Sequence, residues 1–398
     1  MELIARGTGE IFPEEELKVK LERSIETGKP LRVKLGVDPS TKDLHLGHTV
    51  VLRKLRQFQQ LGHKAVLIIG DGTGLVGDPS GRDATRPQLT PELIDENART
   101  YIEQASKVLD VENPELFEMR KNGDWFREMD FFKVVTLASK MTVARILERD
   151  DFSARFKQQT PIYLHEMLYP IMQAWDSVVV RADVELGGTD QKYNLLVGRD
   201  FQKAGGQEPQ ICVTLPLLVG TDGSKKMSKS YGNYIGISEP AKTMFDKTIS
   251  IPDTLAADYF TLLTTVPLDE VKKLINADPR EAKLKLALDI ISQYHGKDVA
   301  AKLGEAYKSG KNAPGDLAQE ARLKPDDLKD GKVWVVRLVM ASGFAGSNSE
   351  ARKLIAGGAV SVEGSKITEA DSDIEVLEGQ LLRVGKKRVA KITFIPEV

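Results

Sequence analysis

Apolar and polar positions follow three successive rhythms along the chain. From about residue 30 to the 230s, short apolar runs alternate with helical stripes. LRVKLGV (31–37) and KAVLIIG (64–70) read as buried strands. Between them, TVVLRKLRQFQQLG (49–62) repeats apolar residues at Leu52, Leu55, Phe58 and Leu61, a helical stripe closed by Gly62. Strand, helix and strand in such close succession predict a βαβ unit, hence an α/β fold with a parallel sheet covered by helices. SVVVRADVEL (177–186) and ICVTLPLLVG (211–220) are expected to add strands to that sheet. After Gly236 the pattern turns helical through AKTMFDKTI, DEVKKLINA and REAKLKLALDIISQYHG. The stretch 311–332 mixes proline, glycine and charge and reads as a linker. These rhythms predict a first domain over 1–232, a helical domain over 233–320, a linker over 321–332 and a terminal module over 333–398.

Composition changes this picture little. The 398 residues, 41% of them hydrophobic, suffice for two or three domains with sizeable cores. With 56 basic and 58 acidic residues the formal charge is −2, so any nucleic-acid surface must be a local patch. A single cysteine, Cys212, excludes an intrachain disulfide and a cysteine-built zinc site, and fits a reducing cytoplasm. The start, MELIARGTGEIFPEEE, lacks the basic and apolar regions of a secretory signal. No apolar run approaches the ~20 residues that span a bilayer, so no membrane partner is expected.

Two glycine- or histidine-bearing turns follow the first strands. Gly72, Gly74 and Gly77 spell the G-x-G-x-x-G of a dinucleotide site, but they run into Asp78-Pro79-Ser80-Gly81, which interrupts the required helix. No strand ending in an acidic residue follows at the required distance, which disfavours a dehydrogenase, and these glycines are read as permitting a tight turn or a close ligand. In GVDPSTKDLHLGHTVV (36–51), His45 and His48 stand three apart at the start of the helix. A metal pair there would want a third protein ligand. A helix start carrying imidazoles is instead a natural seat for phosphate oxygens, with Gly47 leaving room for a flat ring. Far downstream, TDGSKKMSKSYGN (221–233) gathers lysines and hydroxyls around Met227 without a bulky anchor on either side.

HLGH resembles the HIGH motif, and KMSKS (226–230) matches the second signature, of class I aminoacyl-tRNA synthetases. The order of the two on a βαβ chain makes the resemblance specific. It implies a Rossmann-like catalytic domain that joins an amino acid to the α-phosphate of ATP, with Mg²⁺ accompanying the triphosphate and no zinc. Chemistry of this kind needs positioning and cations more than an acid, a base or a covalent nucleophile. The resemblance assigns catalysis to His45, His48, Lys226 and Lys229, and ATP contacts to Asp38, Ser40, Gly47, Gly188, Asp190, Met227, Ser228 and Lys229.

LHEMLYPIMQAWDSVVV places Tyr169, Gln173 and Asp176 on one helical face, which His165 extends. Among apolar neighbours these polar groups would need buried partners. The set is similar to the tyrosine-binding helix of tyrosyl-tRNA synthetases, as are GDPSGR (77–82) and GGTDQ (187–191). By this resemblance Asp78, Tyr169 and Gln173 hold the substrate ammonium, Asp176 accepts the phenol hydroxyl, Gly36 lies beside the substrate and Gln191 near its carboxylate. Lys34 stands where many members carry a tyrosine, and is expected either to pair with a carboxylate or to point into a core edge. KMSKS in place of KFGKT points to the other bacterial branch of the family. A tryptophan-specific sister, or an RNA-binding scaffold without activity, are the rival readings.

The terminal stretch opens with a capping-box spacing, Ser347 and Glu350, before a short helix bearing Arg352 and Lys353. LLRVGKKRVAKITFI (381–395) reads as a hairpin turning at Gly385-Lys386, with Arg383, Lys386, Lys387 and Arg388 close together. From Val333 onward, nine basic and eight acidic residues leave +1, so charge is sorted and not massed. The stretch resembles an S4 RNA-binding domain, a small α+β module whose cations would meet phosphate. The resemblance implies tRNA(Tyr) and tyrosine as partners, an anticodon-recognition role for the helical domain, and a homodimer in which one tRNA touches both subunits. The helical region 120–170 is the expected interface.

Overall fold

A computed structural model describes residues 1–39, 42–79, 90–309, 319–329, 331–385 and 388–395. The apolar runs of the first half assemble into one six-stranded sheet, in the order β1 (Glu10–Phe12), β6 (Ile211–Leu215), β5 (Val184–Gly188), β2 (Arg32–Val37), β3 (Lys64–Ile69), β4 (Phe117–Lys121). All neighbours are parallel except β1, which runs antiparallel to β6. Helix α1 (Leu46–Gln60) connects β2 to β3 and buries Leu46, Val50, Leu52, Leu55 and Phe58. It starts before the apolar stripe because His45 takes an extended N-cap conformation. Helix α2 (Thr73–Val76) is a single turn that ends at Gly77, φ 83°. That left-handed residue is why the glycine motif carries no long helix behind it.

Helix α3 (Leu164–Val180) follows β4, and α4 (Lys192–Ala204) joins β5 to β6. The expected strand over 177–186 is corrected here. Ser177–Val180 is the last turn of α3, because the apolar run continues the buried stripe of Ile171 and Ala174. Arg181, at φ 50°, then breaks the helix, and the strand begins only at Val184. The expected strand over 211–220 is likewise shorter, ending at Leu215 before Pro216, which has no N–H for the ladder.

The chain divides into two units, Met1–Ser238 with Thr254–Lys273, and Glu239–Asp253 with Leu274–Val398. In the second unit, α5 (Ala241–Ile249), α6 (Pro279–His295) and α7 (Lys297–Lys308) are helical as their patterns predict. Asp278 caps α6 by accepting from the N–H groups of Arg280 and Glu281. Further on, a five-stranded sheet runs β11 (Ser365–Ile367), β10 (Val360–Val362), β13 (Leu381–Val384), β14 (Arg388–Phe394), β7 (Gln319–Leu323). A smaller sheet holds β12 (Asp373–Glu375), β9 (Lys332–Trp334) and β8 (Leu328–Lys329). Helices α8 (Val335–Ala341) and α9 (Asn348–Ala356) pack on the same apolar cluster, with Val336, Leu338, Ala351, Ile355, Leu382 and Ile392 buried.

The expected linker over 321–332 is therefore not a linker. Ala321 and Leu323 are fully buried and alternate with Glu320 and Arg322, and β7 lies parallel to β14. Four flanking charges hid this two-residue period. Among the described residues no helix is long and apolar enough to cross a membrane.

Candidate active site

The chain adds β3 and β4 on one side of β2, then returns to place β5 on the other. Such a reversal opens a crevice beyond the carboxyl ends of the strands, the usual ligand position of a doubly wound sheet. A cavity of about 230 Å³ sits there, lined by Gly36 of β2 and Asp38 beyond it, Gly70 beyond β3, Asn122 beyond β4 and Gly188 of β5. From α3 it receives Tyr169, Gln173 and Asp176, as the helical spacing predicts. His165, one turn earlier, is not among its lining residues; its ring packs near Tyr163. Glu166 anchors the start of α3, accepting from the Tyr163 N–H at 2.9 Å and from Arg155 at 2.8 and 3.0 Å.

Asp176 is 3% exposed. Its Oδ1 accepts from the Trp125 indole at 3.0 Å and its Oδ2 from the Asn122 amide at 3.1 Å. Burial pushes this carboxyl up to about 7, against the opposing pull of Lys34, Asn122 and Trp125. Asn122 is oriented in turn, its Oδ1 accepting from the Gly72 N–H at 2.8 Å and its Nδ2 donating to Thr73 Oγ1 at 3.0 Å. Neither Asn122 nor Trp125 stood out in the sequence, because both sit near the weakly patterned edge strand β4.

The other wall is a set of interlocked acceptors. Asp38 accepts from Tyr169 Oη at 2.8 Å and from Thr73 Oγ1 at 2.7 Å. A side chain at Gly70 would overlap both Asp38 and Thr73. Asp78 accepts from Gln191 Nε2 at 2.7 Å, and Gln191 Oε1 accepts from Asn194, which is held by Arg149 at 3.1 Å. Gln173 donates to Glu185 at 3.1 Å. Gly36 has open space where a side chain would be, whereas one at Gly188 would meet the Asp190 carboxylate at 2.6 Å. Lys34 does not point into an apolar edge: its Nζ lies 2.9 Å from the Glu185 carboxylate.

At the opposite end, His45 and His48 stack with centroids 3.8 Å apart. The His45 N–H donates to His48 Nδ1 at 3.2 Å, leaving Nε2–H as the donor that His48, a lining residue, can offer. Burial, then His48 and Lys229, pushes His45 down to about 3; burial and Lys229 push His48 down to about 4. Both imidazoles are neutral near pH 7, so positive charge here comes from lysines. A Cβ on Gly47 would approach the His45 ring at 3.0 Å, so the flat ring this glycine admits is the protein's own imidazole.

The lysine segment is framed, not loose. Met227 is 5% exposed and is itself the segment's anchor. Its N–H donates to Leu218 O at 2.7 Å. The Asn233 side chain accepts from the Ser228 N–H at 2.8 Å and donates to the carbonyls of Lys225 and Lys226 at 3.3 and 3.2 Å. Lys226 faces Asp190 at 3.9 Å and Lys229 pairs with Asp43 at 2.7 Å. His45 forms a β-bridge with Gly236, and Leu46 N–H bonds Ile235 O at 2.9 Å, which joins the two signatures physically. Ser40 lies outside the described residues.

In the terminal module, Ser347 caps α9 through the Glu350 N–H, while Glu350 reaches the Gly346 N–H at 2.8 Å and not that of Ser347. Arg352 pairs with Asp371 and stacks on Trp334, 5.5 Å from its ring centre. Arg388 donates to Phe344 O at 2.7 Å. Arg383 lies on β13 and Lys353 on α9, both partly exposed. Lys386 and Lys387 lie outside the described residues.

A parallel sheet with its crevice between a histidine-bearing helix start and a lysine segment defines a class I aminoacyl-tRNA synthetase. Residues 26–309 match the family described as tRNA synthetases class I (W and Y), and the chain belongs to it. The tyrosine–tRNA ligase of Moorella thermoacetica is 48% identical over 98% of this chain and 95% of its own. That of Aquifex aeolicus is 48% identical over 98% of each. The tyrosyl-tRNA synthetase of Archaeoglobus fulgidus, solved with L-tyrosine, shares the fold at a TM-score of 0.63 and 23% identity, covering 75% of this chain and 98% of that one.

Proposed function

We propose that this chain is a tyrosine–tRNA ligase that activates tyrosine with ATP and transfers it to the 3′ end of tRNA(Tyr). The observation that carries the reading is the buried Asp176 carboxylate at the cavity floor, aimed by Asn122 and Trp125. A phenol donates to that carboxylate; phenylalanine leaves it unpaired and is rejected without editing, a discrimination for which this enzyme family is itself the reference example. Asp78, Tyr169 and Gln173 take the substrate ammonium, with Gly36 beside the ring and Gln191 near the carboxylate.

In the first step a tyrosine carboxylate oxygen attacks the α-phosphorus of ATP. The bond from the α-phosphorus to the α,β-bridging oxygen breaks, and pyrophosphate leaves with that bond's electron pair. His48 Nε2–H and His45 face the phosphates, and Asp38, Ser40, Gly47, Gly188, Asp190, Met227 and Ser228 hold the nucleotide. Lys226 and Lys229 exchange Asp190 and Asp43 for the departing pyrophosphate, stabilising charge that is greatest in the transition state. ATP would bring Mg²⁺ with it, held by substrate oxygens, and the ion would neutralise charge on the leaving pyrophosphate. In the second step a terminal ribose hydroxyl attacks the tyrosyl carbonyl, and AMP leaves.

The catalytic domain is assigned to 1–232 and a helical anticodon-recognition domain to the following helices. The S4-like module is extended back to β7. Arg352, Lys353, Arg383, Lys386, Lys387 and Arg388 meet tRNA phosphates there, and the reaction runs in the cytoplasm. A homodimer is supported by the apolar side chains that the first unit exposes between 131 and 164: Phe131, Phe132, Phe156 and Leu164 are each at least 64% exposed. Amino-acid-dependent ATP–pyrophosphate exchange across a panel tests the whole reading. Exchange with tyrosine alone supports it; exchange with tryptophan alone assigns the sister enzyme, and none at all leaves only an RNA-binding scaffold.

A further inference from the structure

A charged cluster beneath the cavity takes no part in the chemistry above it. Lys34 on β2 faces Glu185 on β5 in direct register, their side chains 0% and 1% exposed. Two charges removed from water are tolerated only when their remaining hydrogen-bonding capacity is met. Here it is met in full. Lys34 Nζ reaches Glu185 at 2.9 Å, the backbone carbonyl of Gln173 at 2.8 Å and Ser177 Oγ at 2.7 Å. Glu185 in turn accepts from Gln173 Nε2 at 3.1 Å, from Ser177 Oγ at 3.0 Å and from Gln210 Nε2.

The consequence falls on Gln173. An ionised carboxylate only accepts, so the Gln173 amide must turn its NH₂ toward Glu185. The group it can then offer to the cavity it lines is the carbonyl Oε1, an acceptor. A carboxamide has two ends of nearly equal size, so shape alone does not choose between them. Packing alone does not call for a charged pair either, because an apolar pair of similar volume often serves stability equally well. We propose that the Lys34–Glu185 pair is a polarity key, which keeps the Gln173 carbonyl, and not its NH₂, turned toward the substrate ammonium. Lys34 is thus a positioning residue, and the proposal rests on the reading that Gln173 meets that ammonium. Without Lys34, Glu185 loses the cation that fixes it as the acceptor facing the amide. The Gln173 amide can then turn and present NH₂ to a cation.

The test compares tyrosine with 3-(4-hydroxyphenyl)propanoate, which keeps the phenol and carboxylate but has no ammonium. Dissociation constants for both are measured on the full chain, on Lys34→Met, on the double variant Lys34→Met/Glu185→Met and on Gln173→Ala. Lys34→Met is expected to reduce the advantage of tyrosine over the des-amino acid by roughly tenfold or more. The affinity of the des-amino acid itself should stay within about twofold. The double variant removes both buried charges and regains thermal stability, but does not regain the advantage. Equal weakening of both ligands in Lys34→Met, no change in either, or a double variant with the original advantage each overturns the proposal. If Lys34→Met fails to fold, the double variant decides alone. An unchanged advantage in Gln173→Ala removes the ammonium reading beneath the key. A lost advantage there, retained in Lys34→Met, overturns the key only.

Discussion

At the scale of single residues, the site works by setting protonation states through burial. Asp176 holds its proton in the empty folded protein up to about pH 7, against an ordinary 3.8. Its contribution to stability is therefore complete below about pH 3.8 and is lost as pH rises through about 7. Asp176→Asn removes this loss. Relative to the parent, the variant should gain about 2 kcal/mol of unfolding free energy between about pH 5.5 and 8, read from urea titrations without ligand. A difference constant with pH contradicts the assignment. His45 and His48, held down to about 3 and 4, are predicted to leave no ionisation between about pH 6 and 8 in the pH profile of kcat for exchange. A titration in that window that vanishes in His48→Asn would show a charged imidazole instead. The shared face of Asp176, Tyr169 and Gln173 was legible from helical spacing, and their roles came from the resemblance to the tyrosine-binding helix. Asn122, Trp125 and Thr73 were not legible, since hydrogen bonds across 49 to 54 residues leave no local pattern.

At the scale of elements, two signatures far apart in sequence are brought together by the strand-like bridge at His45 and Gly236. The lysine segment takes its shape from one side chain, Asn233, and its seat from one buried residue, Met227. Asn233→Ala should lower kcat of exchange on the order of tenfold or more while leaving the KM for tyrosine near its original value. A matching rise in the tyrosine KM would show that the frame supports the whole cavity and not the lysines. The βαβ pattern was readable because Leu52, Leu55 and Phe58 keep helical period and the β2 and β3 runs are apolar throughout. Ser177–Val180 was misread because an apolar run of that length suits a buried helix end as well as a strand. β7 was missed because only two buried residues, Ala321 and Leu323, stand among charges and resemble a polar linker.

At the scale of the whole molecule, the first unit and the terminal module each have their own buried apolar residues, and the proposed function gives activation to the one and tRNA recognition to the other. Ending the chain before β7 should leave ATP–pyrophosphate exchange near its full rate while aminoacylation of tRNA falls by on the order of a hundredfold or more. Loss of both activities would tie the module to the catalytic fold. Phe132, 79% exposed, belongs to the apolar surface assigned to a second copy. Phe132→Asp should shift the sedimentation of the protein from dimer toward monomer, and an unchanged dimer would move the interface elsewhere.

The most direct measurement is the effect of Asp176→Ala on two dissociation constants, one for tyrosine and one for ATP, taken by equilibrium dialysis on the same protein. In the proposed function the cavity floor accepts the phenol and lies away from the triphosphate, so tyrosine should weaken by on the order of a hundredfold while ATP stays within about twofold. Equal weakening of both, or of neither, contradicts the account.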